Sequence, residues 1–247
     1  MSRIRLYLSN DTSSCAAGAE RLAEAWRQRS EVELVRTSSR GAFFLEPMVE
    51  RDSPDGRLAW CHVTVDDLPK ILADDGGIPV SSIPFLSKQT RHTFAAFGMT
   101  EPLSLEAYRA QGGFAGLRTA RQVSPSAIIQ EIKTSRLRGR GGAAFPVWKK
   151  WEVAATTTAD RKYVVANADE GDAGTYCDRM IMEGDPFRLI EGLLICARAI
   201  GAEAGYIYCR QEYPVAAACL RAAIRAAGDA GWLESDGRPF TIEVVSG

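Results

Sequence analysis

The sequence predicts an α/β protein of two domains, on three observations. From residue 160 onward strand-like and helix-like segments alternate as βαβαβ. The first 70 residues open with a smaller β-α-β pattern followed by a hairpin signature. Between them, the stretch from about 74 to 90 carries Asp74-Asp75-Gly76-Gly77 and a mixed Ser/Pro run with no hydrophobic period. The expected domains are therefore 1–75 and 90–247.

Taken in order, Arg3-Ile-Arg-Leu-Tyr-Leu8 alternates polar and apolar residues, as a strand does. Residues 16–28 place Ala, Leu and Trp at helical spacing and predict one helix, and Val32-Glu-Leu-Val35 is a second short strand. Glu46–Glu50 and Leu58–Val63 flank Ser53-Pro54-Asp55-Gly56, whose residue types suit a hairpin turn. Ser124-Pro125 starts a helix with Ile128, Ile129 and Ile132 on one face, because Pro lacks an N–H that has no partner at the first helical position anyway. That helix is expected to run out near Ser135.

The second half then reads strand Lys162–Asn167, helix Pro186–Ile200, strand Gly205–Cys209, helix Pro214–Ala227 and strand Thr241–Val245. Helix 186–200 carries Phe187, Ile190, Leu193, Leu194, Ala197 and Ile200 on one stripe, with Asp185-Pro186 at its start and Gly201 at its stop. Tyr163-Val-Val-Ala lacks strict alternation, which predicts a parallel sheet covered on both faces.

Composition narrows the function classes. The 247 residues are 46% hydrophobic and 25% charged with a net charge of −1, so no bulk field favours nucleic acid. No stretch approaches the roughly 20 apolar residues needed to span a bilayer, and Met1–Arg5 is not followed by a long apolar run, so no membrane segment and a cytoplasmic location are expected. Cysteines 15, 61, 177, 196, 209 and 219 form no C-x-x-C pair, and a self-contained metal site is not expected. Cys196, Cys209 and Cys219 sit in apolar runs where a reduced cysteine acts as a small hydrophobe. His62 and His92 have no nucleophile pattern nearby and are read as structural or exposed.

Leu137-Arg-Gly-Arg-Gly-Gly-Ala-Ala-Phe-Pro146 is the most informative segment. Three glycines in four residues let backbone N–H groups approach an anion closely, two arginines add charge, and Pro146 opens a helix whose N-terminus favours a phosphate. The literal match to G-x-G-x-x-A follows a helix and not a strand, so it is not an ordinary dinucleotide fingerprint, and it lacks the ending of a P-loop. A solvated turn between helices is the competing reading. Asn167-Ala-Asp-Glu-Gly-Asp172 ends a predicted parallel strand, where open α/β sheets bind ligands. Its amide and carboxylates suit ribityl or ribose hydroxyls and imide N–H groups, with a solvated acidic turn as the alternative.

Gly112-Gly-Phe-Ala-Gly-Leu117, the 137–146 loop, Lys150-Trp151, Asn167–Glu170, Gly174-Thr-Tyr176 and Asp178-Arg-Met-Ile-Met-Glu183 together resemble the family of NADH-oxidising, FMN-binding subunits of respiratory complex I, over residues 90–247. The first 75 residues resemble the thioredoxin-like domain fused ahead of that module in soluble NAD-dependent formate dehydrogenase β-subunits and hydrogenase diaphorase subunits. Cys15 matches one of the four cluster cysteines of related domains and Gly41–Pro47 supplies none, so a domain without an iron–sulfur cluster is expected.

The resemblance implies a thioredoxin-like domain followed by a Rossmann-like FMN-binding domain with a parallel sheet. It implies FMN as cofactor, held by Gly139, Arg140, Gly141, Gly142, Lys150, Asn167, Asp169 and Glu170, and NAD(H) as substrate, stacked by Phe145 and touched by Asp172. Val153 stands where an aromatic residue helps to sandwich adenine in the family, and Arg210-Gln-Glu-Tyr-Pro214 matches a family segment without an assigned role. The flavin carries the redox chemistry, so no side-chain acid or base is required.

An NAD(H):FMN oxidoreductase of the formate dehydrogenase β type leads, with hydrogenase diaphorase and complex I subunits as alternatives. Its implied partners are an iron–sulfur γ-type subunit and a molybdenum α-type subunit. The family continues beyond strand 241–245 into a Gly-Glu-Glu motif and a four-cysteine [4Fe–4S] site, so the chain reads as truncated at its C-terminus. An assembly module without flavin is the reading from another class.

Overall fold

The computed structural model describes residues 3–235 and 237–247. Two compact units divide the chain: Met1–Ala107 with Met180–Asp185, and Tyr108–Arg179 with Pro186–Gly247.

The first unit begins with β1 (Ile4–Ser9), α1 (Thr12–Ala16), α2 (Ala19–Trp26) and β2 (Val32–Thr37). The single helix expected over 16–28 is two, because Gly18 adopts φ +113°, a left-handed backbone that interrupts the helical hydrogen bonds. The hairpin follows as β3 (Val49–Ser53) and β4 (Gly56–Trp60), then α3 (Leu68–Leu72), β5 (Ile78–Pro79) and α4 (Pro84–Ser87). The sheet order is β2-β1-β3-β4-β5, with β1 parallel to β2 and the other pairs antiparallel. That order, with a helix-bearing crossover between the two parallel strands and a hairpin beyond, is a thioredoxin-like sheet. Leu6, Leu8, Leu22, Trp26, Val49 and Ile71 fill its core.

Residues 74–90, read from sequence as a boundary, lie inside this unit. Ile78 and Pro79 pair with β4, and Ile83 is buried against Met48 and Ala59. The unit also takes in residues 180–185. Glu183, buried, accepts the Thr12 backbone N–H at 2.8 Å and the Thr12 hydroxyl at 2.6 Å, satisfying a free amide at the start of α1. Asp11 caps the same helix by accepting from the Ser14 amide at 2.8 Å.

The second unit is built on α5 (Leu105–Ala110, shared with the first), α6 (Ala115–Gln122), α7 (Pro125–Thr134), α8 (Val147–Thr156), β6 (Tyr163–Ala168), the start of α9 (Cys177–Gly184, from Met180 on in the first unit), α10 (Pro186–Ile200), β7 (Ala204–Cys209), α11 (Pro214–Asp229), β8 (Glu234–Ser235), β9 (Arg238–Pro239) and β10 (Thr241–Ser246). Ser124 caps α7 through the Ala127 amide with Pro125 at its first position, and α10 has the bounds its sequence signals predict. Arg198 on α10 donates to the carbonyls of Ala120 and Val123 at 2.7 Å each, closing the C-terminal end of α6.

β6, β7 and β10 form a parallel sheet in the order β10-β7-β6, in register from Tyr163↔Ala204↔Thr241 to Ala168↔Cys209↔Ser246. The sequence predicts helices on both faces; the structure covers one. Strand order advances in a single direction, so right-handed crossovers through α10 and α11 fall on the same side. Val164, Ile207, Ile242 and Val244 point into that side and are buried, whereas Tyr163, Val165, Tyr208 and Val245 on the other are 37–61% exposed.

All six cysteines are free thiols, with Cys209 buried and the rest half-buried. Among the described residues no helix is long and apolar enough to cross a membrane.

Candidate functional site: a glycine loop and an acidic strand end

The glycine-rich segment is a closed loop. The Gly139 N–H donates to the Phe145 carbonyl at 2.8 Å, the Val147 N–H donates to the Leu137 carbonyl at 3.1 Å, and Arg138 donates to the Ala144 carbonyl at 3.1 Å. These bonds pin the two ends and leave the tip, Arg140–Ala143, without an internal acceptor for its amides among the described residues. Gly142 sits at φ +97° and Ala144 at φ +50°, so the turn uses left-handed backbone at both positions. A Cβ placed on Gly141 or Gly142 would meet nothing within 4 Å. The tip is therefore open at Gly141 and Gly142, and Arg140 within it is exposed. Backbone donors, an adjacent guanidinium and the start of α8 make a seat that fits a phosphate monoester.

α8 carries the next pair of features. Phe145, Trp148 and Val153 line a mostly apolar, open cleft of about 540 Å³ together with Lys149, Lys150 and Glu152. Lys133 lies 4.5 Å and Lys149 5.6 Å from the Trp148 ring centre, and Lys150 lies 5.8 Å from that of Phe145. Phe145 and Val153 remain 45% and 64% exposed, an arrangement that offers a flat apolar wall with cations around it.

Asn167–Asp172 occupies the C-terminal edge of the parallel sheet, as its position after β6 requires. Asn167 folds back, its side-chain oxygen accepting the Asp169 N–H at 3.1 Å, which leaves its amide NH2 as a donor. Asp172 is exposed, and its carbonyl accepts from the Thr175 amide at 3.3 Å. Glu170 is placed differently. Its backbone is left-handed (φ +47°), and its carboxylate accepts the Asp178 N–H at 2.7 Å, the Arg179 N–H at 3.2 Å and the Tyr213 hydroxyl at 3.1 Å. The side chain expected to meet a flavin caps the first turn of α9. Burial, and then the neighbouring Glu170 charge, push the Asp178 carboxyl above the usual carboxylate range.

The nine positions other than Glu170 thus fall into two exposed or half-exposed groups of the second unit: Gly139–Gly142 with Phe145 and Lys150 about α8, and Asn167, Asp169 and Asp172 after β6. No hydrogen bond or ion pair among the described residues joins the two groups. Arg210 and Tyr213, in the segment that the sequence singles out without a role, hold Glu170 from the adjacent strand end. Their signal was present: Arg210–Tyr213 follows β7 at the same sheet edge as Asn167–Asp172 follows β6.

Comparison with known proteins matches residues 132–247 to the family described as the Nuo51 FMN-binding domain. An NADH-quinone oxidoreductase subunit of Rhizobium meliloti is 47% identical over 130 residues, 52% of this chain and 31% of that protein. The HndC subunit of the NADP-reducing hydrogenase of Solidesulfovibrio fructosivorans is 41% identical over 164 residues, 65% of this chain and 33% of that protein. The matches thus span about a third of the length of these relatives. A crystal structure of NAD+-reducing [NiFe]-hydrogenase in the H2-reduced state aligns with all of this chain and 43% of its own, at a TM-score of 0.51 and 24% identity, a likeness of fold alone.

Proposed function

Taking residues 132–247 as a Nuo51 FMN-binding domain, we propose that the chain is the flavin-bearing part of an NAD(H):FMN oxidoreductase subunit that passes electrons to iron–sulfur centres. The observation that carries this reading is the glycine loop, whose tip amides have no internal acceptor among the described residues, with open space at the Cβ positions of Gly141 and Gly142 and Arg140 exposed. Gly139–Gly142 and Arg140 would hold the flavin phosphate, Lys150 the ring system, and Asn167 and Asp169 the polar edge. Phe145, with the apolar wall of α8, would stack the nicotinamide nucleotide, and Asp172 would contact it. FMN held there would supply the hydride and one-electron chemistry, and the chain's own residues would bind it and orient the nicotinamide nucleotide against it.

At finer grain, the fusion of a thioredoxin-like unit to this module supports a soluble dehydrogenase subunit over one of complex I, with a formate dehydrogenase β-type chain, partnered by an iron–sulfur γ-type and a molybdenum α-type subunit, as the first reading. A hydrogenase diaphorase is the second reading, supported by the HndC relative. The test is an absorbance spectrum of the purified chain with and without added FMN, then with NADH under anaerobic conditions. A retained flavin band bleached by NADH is expected. A chain that stays colourless after FMN addition overturns the reading and leaves the scaffold alternative. Electron delivery from formate or hydrogen in the isolated complex separates the finer two.

A further inference from the structure

Arg210-Gln-Glu-Tyr213 joins β7 to α11 and reaches across to the loop after β6. The Arg210 guanidinium donates to the Glu170 carbonyl at 2.9 Å and is itself clasped by both carboxylate oxygens of Glu212, at 3.2 and 3.1 Å. The Tyr213 ring has two guanidinium groups near it, Arg210 at 5.3 Å and Arg179 at 5.8 Å, and its hydroxyl donates to the Glu170 carboxylate. Glu170 is therefore held at both its carbonyl and its side chain, in a backbone region that a glutamate seldom occupies unaided. With two α9 amides as further donors, its carboxylate has three partners and little capacity for a ligand.

We propose that Arg210 and Tyr213 are positioning residues for the ligand-facing acidic loop, an inference that rests on the flavin reading above. They fix the left-handed turn at Glu170 and keep its carboxylate on α9, so that Asn167 and Asp169, and not Glu170, are presented to the flavin's hydroxyl and ring groups. Neither touches the ligand. Their contribution is the shape of the loop before the ligand arrives, which lowers the ordering cost of binding.

The test compares the full chain with Tyr213→Phe, which keeps the ring between its two cations and removes only the hydroxyl, and with Arg210→Lys, which keeps a cation but loses the two-pronged clasp. Hydrogen exchange read by mass spectrometry over residues 170–179 reports the loop, and quenching of FMN fluorescence reports affinity. Tyr213→Phe is expected to speed exchange at Asp178 and Arg179 and to weaken FMN binding by about tenfold, the scale of one hydrogen bond to a charged group; Arg210→Lys should fall between it and the parent. Unchanged exchange in both variants overturns the inference, as does faster exchange with unchanged FMN affinity. A parent chain that does not bind FMN brings down the flavin reading and this inference with it, an outcome distinct from a parent that binds and variants that bind equally well.

Discussion

The carboxylate of Glu191 on α10 accepts the backbone N–H of Phe114 at 2.7 Å, across 77 residues of sequence. The same carboxylate accepts the Leu117 amide at 3.0 Å and the Tyr108 hydroxyl, so one side chain satisfies two free amides at the start of α6. Phe114, with φ +59° and no exposure, stacks on Trp232 at 4.1 Å and 7°. Glu191→Ala should destabilise the second unit by about 2–4 kcal/mol, because charged hydrogen bonds are lost and amides are left unsatisfied. Denaturant titration followed by tryptophan fluorescence checks this, and a loss below the cost of an ordinary surface change would show that water replaces the carboxylate.

Ile207 lies at the centre of β7 with no exposed surface, under the helices that cover one face of the sheet. Truncation to Ala should cost about 2–5 kcal/mol, a transfer and cavity effect. Val165 points to the other face and is 61% exposed. Val165→Thr should stay within about 0.5 kcal/mol in the same denaturation assay.

Gly141 is outside the left-handed region and has open space where a side chain would go. Gly141→Val should leave the thermal transition nearly unmoved while weakening FMN binding by more than about tenfold, since the side chain would fill the proposed phosphate seat. Equal affinity in parent and variant would place the phosphate elsewhere.

Burial pushes the Glu46 carboxyl above its ordinary value, against weaker lowering by hydrogen bonds from the Met48 amide and from serines. A carboxyl with a raised folded-state pKa binds its proton more tightly folded than unfolded. Its effect on stability is therefore absent below the unfolded pKa and becomes a growing penalty as pH rises through the window between the two values. Glu46→Gln should flatten the fall in stability as pH rises above about 4, the range of an ordinary carboxyl, with the amide keeping the Met48 and Ser39 bonds. Denaturation midpoints across that range decide it.

The Cys196 thiol is pushed up to about 12 by burial alone. At pH 8 it should remain a thiol and resist iodoacetamide in the folded chain, becoming labelled once denaturant is added, as mass spectrometry of the modified peptide would show.

Local signals carried most of the secondary structure. Pro186 and Gly201 bound α10 because capping chemistry is written within a few residues of each helix end, and the turn residues at 53–56 marked the hairpin for the same reason. What escaped depends on geometry between distant residues. The bare face of Tyr163, Val165 and Tyr208 follows from strand order, which a strand's own residues do not encode. Glu170 has the residue type of a ligand contact, and its use on α9 depends on Tyr213, 43 positions away. The break at Gly18 is a matter of backbone φ, which the apolar periodicity of residues 16–28 hides.

The first unit is discontinuous, and this bears on the order of events during synthesis. Its α1 amide at Thr12 waits for Glu183, and Gly184 packs against Phe97 and Ser38 too closely to admit a side chain. A ribosome adds roughly 5–20 residues per second, so the first unit stays incomplete for several seconds after the last strand of its sheet emerges. During that interval the helices of the second unit up to α8 are already free of the tunnel and can begin to associate. The two units are thus expected to mature together, and an arrest of translation near residue 107 should yield a protease-sensitive intermediate in place of a completed N-terminal domain.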